Sequence, residues 1–255
     1  MTNRTVPAAL VRAAIEVGRE HGLDTDAILR RNGVSPELIS ASRTGVSAAQ
    51  ISAVVRELWH MTDDELLGLG PTRVTRGATR LIGLGLIHCN DLASAIGRFR
   101  EYQRLTPGLP EITLTSSNGI ARFTMDTTRL RDTSELLSTF LLAAAHRLMG
   151  WLIGHRIRLS AVELPQHTTA VADLQQVFDA PLLLGTNVAT IEFKSELLTA
   201  PVVQTEETWL AYVGRAPFDI FSQREYGVAL ADRARSVLAR GLSGTVVSAD
   251  DVASA

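Results

Sequence analysis

Six histidines, one cysteine and a few clusters of charge are the residues of this chain whose types could do chemistry. The histidines are His21, His60, His88, His146, His155 and His167. A metal site needs two or more such ligands at close helical or hairpin spacing, with carboxylates nearby, and no pair here meets that condition. His88 and His146 fall in apolar surroundings. Each is read either as a buried histidine with an ordinary hydrogen-bond partner or as a polar contact for a ligand. Cys89 follows His88, but nothing nearby supplies the positive field that lowers a thiol pKa, so it reads as structural. Asp63-Asp64-Glu65 reads as a solvated charge cluster at a turn. Glu206-Glu207 opens a helix, where negative charge suits the dipole. Arg73, Arg76 and Arg80 share one loop, which could hold an anion or stand solvated. Trp59, Tyr102, Phe140 and Trp151 lie on helical faces, either as core or as the walls of a ligand cage. Gly83-Leu84-Gly85 follows no strand, so close helix packing explains it better than a phosphate loop. P-loop, zinc-protease, paired-cysteine and nucleophile-elbow motifs are absent from the sequence.

The elements that would position these residues follow from periodicity and caps. Pro7 to His21 carries a helical apolar stripe, ended by Gly22. Asp24 caps a helix from Thr25 to Asn32, and Ser35-Pro36 opens a short turn of helix through Ile39. Ser47 caps a longer helix, Ala48 to Met61, and Asp63 to Leu69 suggests one more helical turn. Thr79 to His88 reads as a buried helix, and Asp91 caps the next, Leu92 to Leu105. The pattern then changes to alternation in Ile112 to Thr115 and Ile120 to Met125. Asn118-Gly119 between these runs is the strongest short hairpin signal. A long apolar helix runs from Ser134 to Gly154, followed by a strand at Arg158 to Leu164 and a helix at Thr169 to Phe178. Leu182 to Leu184 and Thr190 to Phe193 suggest two more strands, paired with each other. Glu206 to Phe221 is expected to be helical with a bend near Pro217. Val228 to Arg240 is amphipathic, and Ser248 looks like a further cap. The fold class is α+β: a helical N-terminal subdomain packed on a small, mostly antiparallel sheet with a long central helix, then a helical linker.

Composition narrows the function. Of 255 residues, 45% are hydrophobic and 20% charged, with a net charge of −2, which suits a globular domain better than a surface built to neutralise phosphates. One cysteine excludes an internal disulfide and fits a reducing cytosol. The N-terminal stretch lacks the apolar core of a signal peptide. The most apolar stretch, Leu136 to Ile153, contains His146 and Arg147, which a lipid-facing span rarely tolerates. No membrane association is expected, and no cofactor is implied.

Several segments, taken in order, resemble the N-terminal domain of one branch of AraC-type transcription regulators, often labelled an arabinose-binding-type domain. They are GLDTDAILRRNGVSPELI, VSAAQISAVVRELWHMTDDELLGLG, LIGLGLIHCNDLASAIGRFREYQRLTPG and FDAPLLLGTNVATIEFKSELLTAPV. The last is the most specific, through Phe178, Pro181, Phe193, Leu197, Leu198 and Pro201. The tail VALADRARSVLARGLSGTVVSADDVASA resembles the start of the family's paired helix-turn-helix domain. The resemblance implies an effector-binding and dimerisation domain over 1–204, helical over about 1–108 and α+β over about 109–204. A linker helix over 205–224 and a truncated opening of the DNA-binding domain over 225–255 would follow. It implies a cytoplasmic, homodimeric regulator that reaches DNA only through a C-terminal domain beyond Ala255.

The branch is associated with varied effectors, including amino-acid derivatives and fatty-acid-like compounds. The apolar candidate walls here, Leu81 to Ile87 and Leu136 to Trp151, lean toward an apolar effector, with a fatty-acid-like compound as one class. The candidate ligand-binding residues are Trp59, His88, Tyr102, Phe140, His146, Arg147 and Trp151. Two other readings compete, a small-molecule enzyme on an α+β scaffold and a domain that only dimerises. Perturbed titratable groups converging in one pocket would favour the enzyme. A smooth apolar pocket with one or two polar anchors would favour the sensor, and a solid core the dimerisation domain. For the dimer contact, the sequence offers the helix at Leu136 to Ile153 and the more exposed-looking Glu206 to Phe221.

Overall fold

The computed structural model of the chain describes residues 8–40, 46–131, 136–165 and 178–217. Helices α1 (Ala8–Glu20), α2 (Thr25–Arg31), α3 (Pro36–Ser40) and α4 (Ala48–Thr62) come first. Their starts follow the cap signals. The Asp24 carboxylate accepts from the Ala27 N–H at 2.9 Å, and Ser47 with Gln50 forms a reciprocal capping box on α4. The apolar stripes of these helices, among them Ile15, Ile28, Leu29, Ile51, Val54 and Leu58, meet in one buried core.

The segment after α4 departs from the sequence expectation in two ways. No further helical turn forms, because Asp63 and Leu67 adopt left-handed backbone angles, φ 52° and 53°. Nor is the acidic cluster solvated throughout. Asp64 is 5% exposed, and its carboxylate accepts from the backbone N–H groups of Leu66 (2.9 Å), Gly68 (2.8 Å) and Val74 (3.1 Å). Burying a carboxylate is costly unless such donors replace water, and three of them wind this loop around one side chain. Glu65 has a separate task. It accepts from Gly77 N (2.7 Å) and Thr79 N (3.0 Å), at the start of α5 (Ala78–Leu86), whose N-cap glycine has no side chain to offer.

Helix α6 (Leu92–Gln103) starts on Asp91, which accepts from Ser94 N at 2.7 Å. Strands β1 (Glu111–Ser117) and β2 (Ile120–Asp126) then form the expected hairpin, with Ser117 opposite Ile120. Asn118 and Gly119 both have positive φ, 52° and 77°, the backbone of a two-residue turn that matches strand twist. Helix α7 (Leu136–Leu152) is followed by β3 (Leu159–Pro165), β4 (Leu182–Thr186), β5 (Ala189–Lys194) and a 3-10 turn at Ser195–Thr199. The sheet order is β1-β2-β5-β3-β4, antiparallel except for β3 with β4. The last two strands therefore do not pair with each other as the sequence suggests. β3 lies between them, and the chain passes around the end of β3 through Asn187 and Val188.

One face of the sheet is apolar. Ala121, Phe123 and Met125 of β2 stand opposite Phe193, Ile191 and Ala189 of β5, and this face packs with α6 and α7 into a second core. The opposite face carries charge, with Arg122 reaching Glu192 at 2.6 Å and Glu163 at 2.5 Å. Together these elements make the α+β architecture expected from the sequence.

Helix α8 (Glu206–Val213) closes the described chain. Its Trp209 is 1% exposed and Tyr212 is buried, while Glu206, Glu207 and Ala211 are exposed, so the helix is amphipathic and more exposed than α7, as the sequence suggests. Trp209 and Tyr212 form an aromatic cluster with Trp151 of α7, with ring centroids 4.5 to 5.8 Å apart. The Trp209 indole N–H donates to the Arg80 carbonyl at 3.0 Å, and Gln204 donates to the Trp151 carbonyl. A Cβ on Gly83 of α5 would overlap the Trp209 indole, and one on Gly85 would overlap the Tyr102 ring. The two glycines thus allow close packing, as the sequence suggests. Ser134, His167, most of the segment Thr169 to Phe178, Phe221, Val228 to Arg240 and Ser248 lie outside the described residues.

Candidate functional site

Three apolar cores meet at an internal cavity of about 220 Å³. The first is that of α1 to α4. The second is the apolar face of the sheet with α6 and α7. The third lies among α5, α6, α7 and α8. Trp59 of α4 and Phe140 of α7 line the cavity while also packing against the first core. Phe123 and Met125 enter from β2, and Ile96 and Phe99 from α6. Ile82, Gly83 and Leu86 of α5 face Ala144 and Leu148 of α7 across it. Leu109, Pro110 and Ile112 line it ahead of the hairpin and at the start of β1, and a further wall is α8 and the turn behind it, through Trp209, Tyr212, Val213, Ala216 and Pro217.

The lining offers very little polarity. Glu65 and Thr79 reach one edge, but Thr79 Oγ1 donates to Glu65 at 2.5 Å, and the same carboxylate holds the start of α5. Trp209 has its N–H on Arg80. The indole N–H of Trp59 is buried with no hydrogen-bond partner. Among the described lining residues there is no arginine, lysine or histidine. No group of histidine, cysteine and acidic residues able to hold a metal ion occurs among the described residues. In the same region no helix is long and apolar enough to cross a membrane.

The sequence-predicted residues divide. Trp59 and Phe140 line the cavity. His88, at the far end of α5, is exposed to solvent. Tyr102 packs beside Gly85. Trp151 belongs to the aromatic cluster behind α8. Arg147 is buried on α7 and is not part of the lining. His146 is buried on the same helix, and its Nε2–H donates to the Ile157 carbonyl at 2.9 Å. Burial pushes its pKa down to about 4. The Ile157 carbonyl opposes that shift, and Arg156 and Arg147 add to it. The ring is therefore neutral and fixes the chain that follows α7. The Cys89 thiol is pushed up by burial, with Arg98 opposing, and it sits 3.6 Å from the Gly85 carbonyl. Sequence reasoning placed Trp209 and Tyr212 in a linker and so missed them as wall residues. The available signal was an aromatic pair at i and i+3, one face of a helix.

Residues 22–202 match the family described as the arabinose-binding domain of AraC transcription regulator, N-terminal. The chain belongs to this family of N-terminal domains of AraC-type regulators. Among solved structures, it is similar to the crystal structure of transcriptional regulator CdpR from Pseudomonas aeruginosa. The TM-score is 0.43 at 16% sequence identity, covering 88% of this chain and 70% of that one. No curated protein matches the sequence.

Proposed function

We propose that the chain senses a small apolar effector in this cavity and transmits its presence through α8. The observation that supports the reading is that α8 forms one wall of an apolar cavity. Ligand pockets are mostly apolar with few polar anchors, and an enzyme would be expected to gather titratable groups there. A sugar is a poor occupant despite the family's name. Each of its hydroxyls would need a partner, and the described lining is almost wholly apolar. A solid core would have favoured a domain that only dimerises.

Residues 205–224 would carry the signal from the domain 1–204 toward residues 225–255, read as the opening of a helix-turn-helix domain. In this reading the regulator is cytoplasmic and homodimeric, performs no catalysis, and reaches DNA through its C-terminal domain. The effector must favour one arrangement of α8 over another, since equal affinity for both shifts nothing. A native mass spectrum of the purified chain, after incubation with neutral apolar compounds, tests the pocket. The wild type is expected to carry one bound molecule per chain, while Ala144→Phe, which fills the cavity from α7, carries none. Equal retention by both proteins would place the ligand elsewhere, and retention by neither would remove the sensor reading.

A further inference from the structure

Strand β1 forms one edge of the sheet and β4 the other, in the order β1-β2-β5-β3-β4. A free edge presents a row of backbone N–H and C=O groups to any extended chain, and proteins commonly blunt it with a short strand, charge, proline or a bulge. The β4 edge is blunted in this way. It has five residues, includes Gly185 at φ 105°, and its pairing with β3 shifts register between Leu164 and Pro165. The β1 edge is not. All seven of its residues pair with β2 without a shift, and from Ile112 to Ser117 it carries no charge, proline or glycine.

The hairpin decides which backbone groups face outward. Ser117 opposite Ile120 closes a two-residue turn, so Ser117, Thr115 and Thr113 exchange backbone bonds with β2. The N–H and C=O of Ile112, Leu114 and Ser116 then point away from it. The Gln103 side chain of α6 occupies the first of these donors, its Oε1 accepting from Ile112 N at 3.3 Å. Among the described residues no further backbone bond reaches the outward groups of Leu114 and Ser116. Thr113, Thr115 and Ser117 stand exposed on the charged face of the sheet.

We propose that this edge pairs with the same strand of a second copy of the chain, antiparallel, across a two-fold axis through Thr115. The proposal rests on the homodimeric reading above and supplies its interface. In this register Leu114 of each copy lies opposite Ser116 of the other. Every outward donor and acceptor of these two residues then finds a partner. An axis at Leu114 would instead set Ile112 opposite Ser116 and call on the N–H that Gln103 already holds. On the charged face Thr115 meets Thr115, and Thr113 meets Ser117, hydroxyl pairs that stabilise neighbouring strands. Glu111 is the charged residue of β1, and it lies beyond the paired stretch, so no like charges face each other. One strand serves both sides of the contact, as a two-fold interface requires.

Sedimentation velocity of the full 255-residue chain, with oxidative crosslinking of cysteine variants, tests this. Residues facing each other in a non-bonded antiparallel pair have Cα atoms about 4.5 Å apart, within disulfide reach. Thr115→Cys is expected to give a disulfide-linked dimer on a non-reducing gel. Thr113→Cys should give none, because the two copies of that residue stand roughly 13 Å apart along the strands. The wild type, whose Cys89 is buried, is the blank. Ser116→Pro removes an outward donor that β2 does not use. It should raise the dimer dissociation constant roughly tenfold or more and leave the melting temperature unchanged. If that variant fails to fold, the cysteine pair still decides, since each replaces an exposed side chain. A wild type that stays monomeric at high micromolar concentration overturns this interface together with the homodimeric reading. A dimer that Ser116→Pro does not weaken and Thr115→Cys does not lock overturns the interface alone. Equal crosslinking at Thr113 and Thr115 overturns the axis at Thr115.

Discussion

His146 and Asp64 are both polar groups taken out of water, and each is held by hydrogen bonds that the fold supplies. His146 is held neutral in the fold at a pKa of about 4, below the ordinary value of 6.5. Above pH 6.5 neither the folded nor the unfolded chain protonates it, and it costs nothing. Between 6.5 and about 4 the unfolded chain takes up a proton that the folded chain refuses, so stability falls as pH falls through this window. The loss is on the order of 3 kcal/mol at its lower end. Urea unfolding at pH 7 and pH 4.5 should show this slope in the wild type, and it should be flatter in His146→Leu. A variant with the same slope would mean that His146 titrates normally. Asp64 matters through its hydrogen bonds, because the loop is wound around its carboxylate. Asp64→Ala strands three backbone N–H groups and should cost about 3 kcal/mol or more in chemical denaturation. A loss under 1 kcal/mol would mean that water or a rearranged loop satisfies them.

At the scale of elements, most boundaries were legible because local chemistry sets them. Asp24, Ser47 and Asp91 cap the helices the sequence assigns to them, and Asn118-Gly119 turns the hairpin. What was not legible depends on partners distant in sequence. The β3 strand separates β4 from β5, and no local signal in Leu182 to Phe193 carries that information. Asp64 looks solvated until Val74, ten residues on, donates to it. Trp59 and Phe140 were legible as wall candidates because they lie on strong helical stripes. His88 was not correctly placed by its apolar neighbours, since the end of α5 turns it to solvent. Helix α8 is short, and its burial depends on a space prepared by Gly83. Gly83→Ala puts a methyl group into the indole of Trp209. Overpacking of this kind should cost about 1–3 kcal/mol and displace α8 from the cavity wall. Loss of near-ultraviolet circular dichroism from the Trp151, Trp209 and Tyr212 cluster would accompany it. An unchanged spectrum with unchanged stability would show that α8 does not depend on this contact.

For the whole molecule, the decisive feature is that no single core encloses the cavity. The α1 to α4 core contributes Trp59, the sheet contributes Phe123 and Met125, and the third core contributes Trp209 and Tyr212. A ligand in this position touches residues of all three cores, so its binding free energy bears on their mutual packing. At a hundred times its dissociation constant, a ligand that binds only the folded state adds about 2.7 kcal/mol of stability. That stabilisation should not be evenly spread, because the cavity borders α8 through Trp209, Tyr212 and Val213 and meets the outer hairpin strand β1 only at Ile112, near its start. Amide hydrogen exchange with and without a bound neutral apolar compound distinguishes the cases. Protection is expected to rise at Trp209 to Gly214 and in the middle of α4, where Arg56 joins the two, and to stay constant at Thr113 to Ser117 of β1. Such a pattern makes α8 the element whose order the ligand sets, which is what a domain must do to pass a signal along its chain. Protection rising equally at β1 and α8 would mean that the ligand stabilises the fold as one body. The proposed route through α8 would then have no physical basis.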